Sequence, residues 1–182
     1  MAKDRKIDYV ILGLLSHESL SGYDIKKRID SGISFFWKGS FGSIYPALTA
    51  LEESGFVKKK TDSKSSANRE KYIYSITRQG RKHLKSWLEE STASNDLKYE
   101  SLLKVIFGGN AKPEITIATI QRFEEETKEN LAILKMYQAT LKESLDNYDH
   151  IYYYLTVSFG VKTYEGYLKW CKEAYAMLNE AG

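Results

Sequence analysis

In the stretch SFGSIYPALTALEESGF, Ser40 to Phe56, Ile44, Ala47, Leu48 and Leu51 recur at the spacing of one helical face, and Gly55 is a natural stop. The spacing predicts a helix from Ser40 to Ser54. At about 100° per residue, Ile44, Leu48 and Leu51 share a narrow arc. Opposite them stand Gly42, Pro46, Thr49 and Glu53, with Tyr45 and Glu52 on one flank and Ser43 and Ala50 on the other. An outward face this small, polar and partly proline is unusual for a solvent-exposed helix. Pro46 also lacks an N–H and costs a backbone hydrogen bond, unless the helix begins late, nearer Ser43, and leaves it in the tolerated first turn.

The neighbouring segments supply a context. Ile7 to Ser16 is apolar on most sides and reads as a buried first helix. Ser21-Gly-Tyr-Asp24 matches a capping box, so a second helix starts near Ser21, offers Tyr23, Ile25 and Ile29 inward, and ends near Ser31-Gly32. Phe56 to Thr61 and Lys71 to Thr77 alternate as strands do, around the polar, basic tip Asp62 to Arg69. Thr77 can cap a fourth helix carrying Leu84, Trp87 and Leu88. Three short helices, a hairpin and a returning helix make a winged helix-turn-helix.

In that setting the bare face of the third helix acquires a use. Small outward residues let a helix sink into the DNA major groove, about 12 Å wide. Ser43, Tyr45 and Thr49 can hydrogen-bond phosphates or base edges, and Ser40 at the head of the helix joins them. Lys58, Lys59, Lys60, Lys64 and Arg69 lie on the hairpin and its tip, where a wing straddles a phosphate backbone. The competing readings are an ordinary surface helix capped by Ser40, and lysines that merely protect an edge strand.

Beyond the polar patch Ser91 to Asn95 the character changes. Leu97 to Phe107 reads as one helix, stopped by Gly108-Gly109-Asn110. A longer helix runs from Glu114 to about Tyr148, with Ile117, Ile120, Leu131, Leu134, Leu141 and Leu145 approximating a heptad stripe. Val157, Val161, Tyr164, Leu168, Cys171, Tyr175 and Leu178 form a second seam, and the two long helices join near Asp146–His150 as an antiparallel hairpin. The fold class is therefore mainly α with a small β-hairpin. Residues 1–90 form a winged helix-turn-helix, and residues 95–182 a long-helix dimerisation domain. Such seams are exposed in a monomer, which argues for a homodimer. Tyr152 and Tyr153, with Trp87, are candidates to line a pocket for a small aromatic effector; the other reading of these aromatics is core or dimer interface.

Charge divides the same way. Residues 1–90 carry 17 Lys/Arg against 11 Asp/Glu, and residues 91–182 carry 10 against 13. A basic front half suits a polyanion partner. The chain has no dinucleotide fingerprint, P-loop, nucleophile elbow or zinc-protease motif, and its three histidines stand at no metal-ligand spacing. No enzyme activity, cofactor or metal is expected. A single cysteine, no signal-peptide cleavage site and no apolar run of membrane-spanning length lead us to expect a cytoplasmic protein without a membrane partner.

Tyr9-Val-Ile-Leu-Gly-Leu-Leu15, Ser21-Gly-Tyr-Asp24, Ser43-Ile-Tyr-Pro-Ala-Leu48 with Leu51-Glu52 and Gly55-Phe56, and Tyr72-x-Tyr74-x-Ile76-Thr77-x-x-Gly80 strongly resemble the PadR family of transcriptional regulators. The resemblance is specific over about residues 7–90. It continues more weakly through Tyr154-Leu-Thr-Val157 and Tyr167-Leu-Lys-Trp-Cys171, similar to members with the larger helical C-terminal domain. It implies a homodimer, usually a repressor, bound to an inverted-repeat operator in double-stranded DNA, nucleoid-associated when bound, with some members sensing phenolic acids or drugs. By matching positions, Tyr23, Ser43, Tyr45 and Pro46 belong to the family's DNA-reading motif. The alternative is a winged-helix protein-interaction module without specific DNA binding.

Overall fold

The computed structural model describes residues 5–35, 37, 41–61, 72–91, 99–146 and 148–180. The chain divides into two compact units, residues 1–95 and 96–182.

The first unit opens with α1 (Lys6–His17), which buries Ile7, Tyr9, Ile11, Leu12 and Leu15. A two-residue strand, β1 (Leu20–Ser21), leads directly into α2 (Gly22–Gly32). The capping box forms as the sequence suggests. Ser21 Oγ accepts from the Asp24 N–H at 3.2 Å, and Asp24 Oδ2 accepts from the Ser21 N–H at 3.3 Å. Ile25 and Ile29 are buried, whereas Tyr23, expected to face inward, is 69% exposed. Its angular position explains this, because two residues of helix place it nearly opposite Ile25.

The helix foreseen from Ser40 starts later. A 3₁₀ turn (Phe41–Ser43) precedes α3 (Ile44–Glu53), so Pro46 sits in the first turn, where no intrahelical donor is required. Ser54 ends the helix, and Gly55 takes φ 72°, a conformation that only glycine adopts without strain. The hairpin β2 (Val57–Thr61) and β3 (Tyr72–Ile76) gains a third strand, because β1 pairs antiparallel with β3 through Leu20–Tyr74 and Ser21–Ile73. The sheet order is β1-β3-β2. The hairpin tip, with Lys64 and Arg69, lies outside the described residues.

Helix α4 (Arg78–Glu89) is tied to the sheet by Thr77. Its Oγ1 accepts from the Gly80 N–H at 3.0 Å and lies 2.8 Å from Gly55 O and 3.1 Å from Phe56 O, to which it donates. We expect Thr77→Ala to lower stability by about 1–2 kcal/mol, the range for a lost N-cap. A urea midpoint shifted down at constant slope checks it, and Thr77→Ser should restore most of the loss.

In the second unit, α5 (Glu100–Ile106) and a 3₁₀ turn (Gly108–Asn110) lead to α6 (Pro113–Lys142) and α7 (Tyr148–Glu180). Pro113 occupies the first position of α6, where its fixed φ is already helical. Helix α6 ends at Lys142, some six residues short of the expected limit, and the half-buried Leu145 falls in the turn. The long helices run antiparallel. Tyr175 donates to Glu124 Oε2 at 2.9 Å, Lys135 pairs with Glu165 at 2.7 Å, and Leu134 lies against Gly160. Ile120, Leu131, Leu134, Val161 and Cys171 are buried along their contact, so the two seams, expected to lie open in a monomer, cover each other within one chain at these positions.

Candidate nucleic-acid interface

Helix α3 has the two unlike faces that its sequence describes. Ile44, Ala47, Leu48 and Leu51 are at most 3% exposed and hold it to α1, α2 and the sheet. Tyr45 is 63% exposed, Gly42, Pro46 and Thr49 are exposed, and Ser43 is half-buried. The outward face thus carries one exposed aromatic ring among small groups, with the exposed Glu52 and Glu53 toward the C-terminal end of the helix. The hydroxyl of Thr49 donates to Tyr45 O at 3.1 Å, and its oxygen keeps its capacity to accept.

Tyr45 does not project freely from the helix. Its ring lies over the start of α2, where a Cβ on Gly22 would stand 2.7 Å from Tyr45 Cε1, 3.1 Å from Cζ and 3.3 Å from the hydroxyl oxygen. Behind it, the Tyr74 hydroxyl is held above its ordinary pKa, chiefly by burial, with the Glu52 carboxylate and Tyr45 adding to the effect. The two reading candidates Tyr23 and Tyr45 therefore stand on α2 and α3, both exposed, with Gly22 as the link between them.

Around Tyr23, the sequence reading missed Lys26 and Lys27, which with Asp30 and Ser31 line a shallow depression on the exposed side of α2. The signal was present as i, i+3 and i, i+4 spacing from Tyr23. Lys26 pairs with Asp30 at 2.5 Å, while both lysines keep their cationic heads at the surface. On the hairpin, Lys58, Lys59 and Lys60 are all exposed on the edge strand β2. Lys59 Nζ sits 3.9 Å above the Tyr72 ring, a cation–π contact that fixes one positive charge on the sheet. Ser40, Lys64 and Arg69 fall outside the described residues.

The candidate effector residues are distributed over both units. Trp87, in the first, stacks on Tyr9 with centroids 4.5 Å apart and planes 7° from parallel, and Lys6 Nζ lies 5.4 Å over its ring. Tyr152 and Tyr153, in the second, are exposed on α7 at 53% and 45%. Among the described residues there is no group of three His, Cys, Asp or Glu side chains able to hold a metal, and no helix long and apolar enough to cross a membrane.

Comparison with known proteins follows the same division. Residues 11–86 match the model of the transcriptional regulator PadR-like family, and residues 97–179 match the virulence activator alpha C-terminal family. The negative transcriptional regulator PadR of Bacillus subtilis is 26% identical over 97% of this chain and 99% of its own. Its crystal structure in complex with operator DNA superposes with a TM-score of 0.82, at 27% identity over 96% of this chain and 99% of that one. Its complex with p-coumaric acid gives 0.74, at 26% identity over 96% and 99%. A PadR-like transcriptional regulator of Bacillus cereus gives 0.81, at 25% identity over 97% and 100%. All of these are named as regulators and none as an enzyme. With its split-faced helix and three-stranded wing, the first unit carries a domain of the transcriptional regulator PadR-like family over residues 11–86, followed by a C-terminal domain similar to that of virulence activator alpha.

Proposed function

We propose that the protein represses transcription as a homodimer that binds an inverted-repeat operator. Residues 1–90 contact the DNA and residues 95–182 hold the dimer. The single observation that carries this reading is α3 itself, a helix anchored by a fully buried face that presents Tyr45 outward among Gly42, Pro46 and Thr49. Tyr23, Ser43, Tyr45, Pro46 and Thr49, with Ser40, read the groove, and Lys64 and Arg69 hold phosphates at the wing tip. Exposed apolar side chains on the second unit, among them Ile106, Phe107, Leu155 and Phe159, are what a self-associating helical domain needs to cover. Two-fold symmetry places the two reading helices about 34 Å apart, or a multiple of that, and so favours a palindromic site. The DNA and p-coumaric acid complexes of the Bacillus subtilis relative support an operator and a small aromatic effector here too, with Tyr152 and Tyr153 of the second unit as residues to meet the effector. The place of action is the cytoplasm, on the nucleoid when bound.

The test is a gel shift with the inverted repeat that the purified protein protects upstream of its own coding region, against scrambled DNA. Tyr45→Ala should lower operator affinity on the order of 10- to 100-fold, the cost of one base-contacting side chain, while dimerisation and melting temperature stay near wild type. A protein-interaction module would show no preference between the two DNAs and weak binding that vanishes at moderate salt.

A further inference from the structure

We propose that Gly22 is a positioning residue for DNA recognition, being glycine so that the Tyr45 ring can lie across the head of α2 in its reading orientation. The inference rests on the reading of Tyr45 as a DNA contact and extends it to a residue that touches no DNA.

The backbone does not ask for glycine at this position. Gly55 is the only described glycine with positive φ, so Gly22 sits in a conformation that any L-residue adopts. What remains is space. Gly22 is buried, and the three atoms nearest to an added Cβ all belong to Tyr45, at 2.7, 3.1 and 3.3 Å. A carbon–carbon approach of 2.7 Å lies far inside the contact optimum of about 3.5–4.0 Å.

What yields under that clash decides the consequence. Tyr45 belongs to the first turn of α3, its side chain is mostly solvent-exposed, and the clashing atoms are at its far end. Rotation about χ1 or χ2 therefore relieves the contact without moving either helix backbone. An alanine at position 22 should leave the fold standing and swing the ring out of place. A reading side chain displaced in this way meets the groove in the wrong orientation, and the adjacent Tyr23 stays where it was.

The experiment combines a double-mutant cycle with a measurement that needs no DNA. In the full-length protein with labelled tyrosine rings, nuclear Overhauser cross-peaks should connect the Tyr45 ring to the Gly22 α-protons. The Tyr45 ring resonances should move in Gly22→Ala, whose melting temperature stays within about 3 °C of wild type. On the protected inverted repeat, Gly22→Ala alone should weaken binding by about 10-fold or more, comparable to Tyr45→Ala. In the Tyr45→Ala background the same change should shift affinity by less than about 2-fold, because the residue through which it acts is gone. Equal losses in both backgrounds, or an unchanged Tyr45 ring in Gly22→Ala, overturn the positioning role. A displaced ring with undiminished operator affinity overturns its importance for recognition. If Tyr45→Ala itself binds normally, the reading of Tyr45 as a DNA contact fails, and the ring measurement still decides whether Gly22 sets the ring.

Discussion

Gly80→Ala should collapse the stability of the first unit, by about 3 kcal/mol or more, which places it among the severe single substitutions. An added Cβ would stand 2.1 Å from Phe56 O, 3.0 Å from Phe56 C and 2.9 Å from Ile76 Cγ1. Two of those atoms are backbone, and that carbonyl is pinned. It accepts from the Thr77 N–H at 3.0 Å and faces the Thr77 hydroxyl at 3.1 Å. Gly80 in turn donates its N–H to that same hydroxyl. Relief therefore means pulling α4 away from the strand entrance and giving up the cap together with the cross-connection. The measurement is thermal or urea unfolding of the full chain. A drop in melting temperature of more than about 10 °C is expected for the unit that contains Gly80. Gly109→Ala, whose added Cβ meets nothing within 4 Å, serves as a near-neutral control. A drop for Gly80→Ala no larger than that of the control would sink the argument.

Leu134→Ala should have the largest effect in the second unit, about 2.7–5 kcal/mol, the range for deleting a buried leucine side chain. Leu134 is 3% exposed on α6 and fills the notch that Gly160 leaves in α7, its Cδ1 lying 3.1 Å from where a Gly160 Cβ would be. The pairing predicts a reversal of sign. Gly160→Ala in the wild type overpacks the notch and costs up to about 1–3 kcal/mol, whereas in Leu134→Ala the same methyl fills part of the cavity and stabilises. Hydrogen exchange should show amides of α6 and α7 losing protection in Leu134→Ala while α1 and α3 keep theirs. Additive effects of the two changes would mean that the residues do not share a cavity.

Helix α3 shows how far the sequence could be read. Its buried and exposed faces follow from the spacing of Ile44, Leu48 and Leu51 alone. Its start does not, because a 3₁₀ turn and a first helical turn carry the same residue types and only the backbone separates them. Tyr23 was misplaced by hydrophobicity, since tyrosine counts as apolar, although helical geometry from Ile25 and Ile29 already put it outward. Strand β1 was illegible because two residues have no period. The role of Gly22 is hidden for another reason. It depends on a ring 23 residues further along the chain, and no local pattern relates the two positions.

Ser21 belongs to two structures at once. It pairs with Ile73 in the sheet, and its side chain heads α2. Strand β3 and helix α2 are consequently joined through one residue, with no slack between them. A displacement of the hairpin therefore carries directly to the head of α2, where the Tyr45 ring rests.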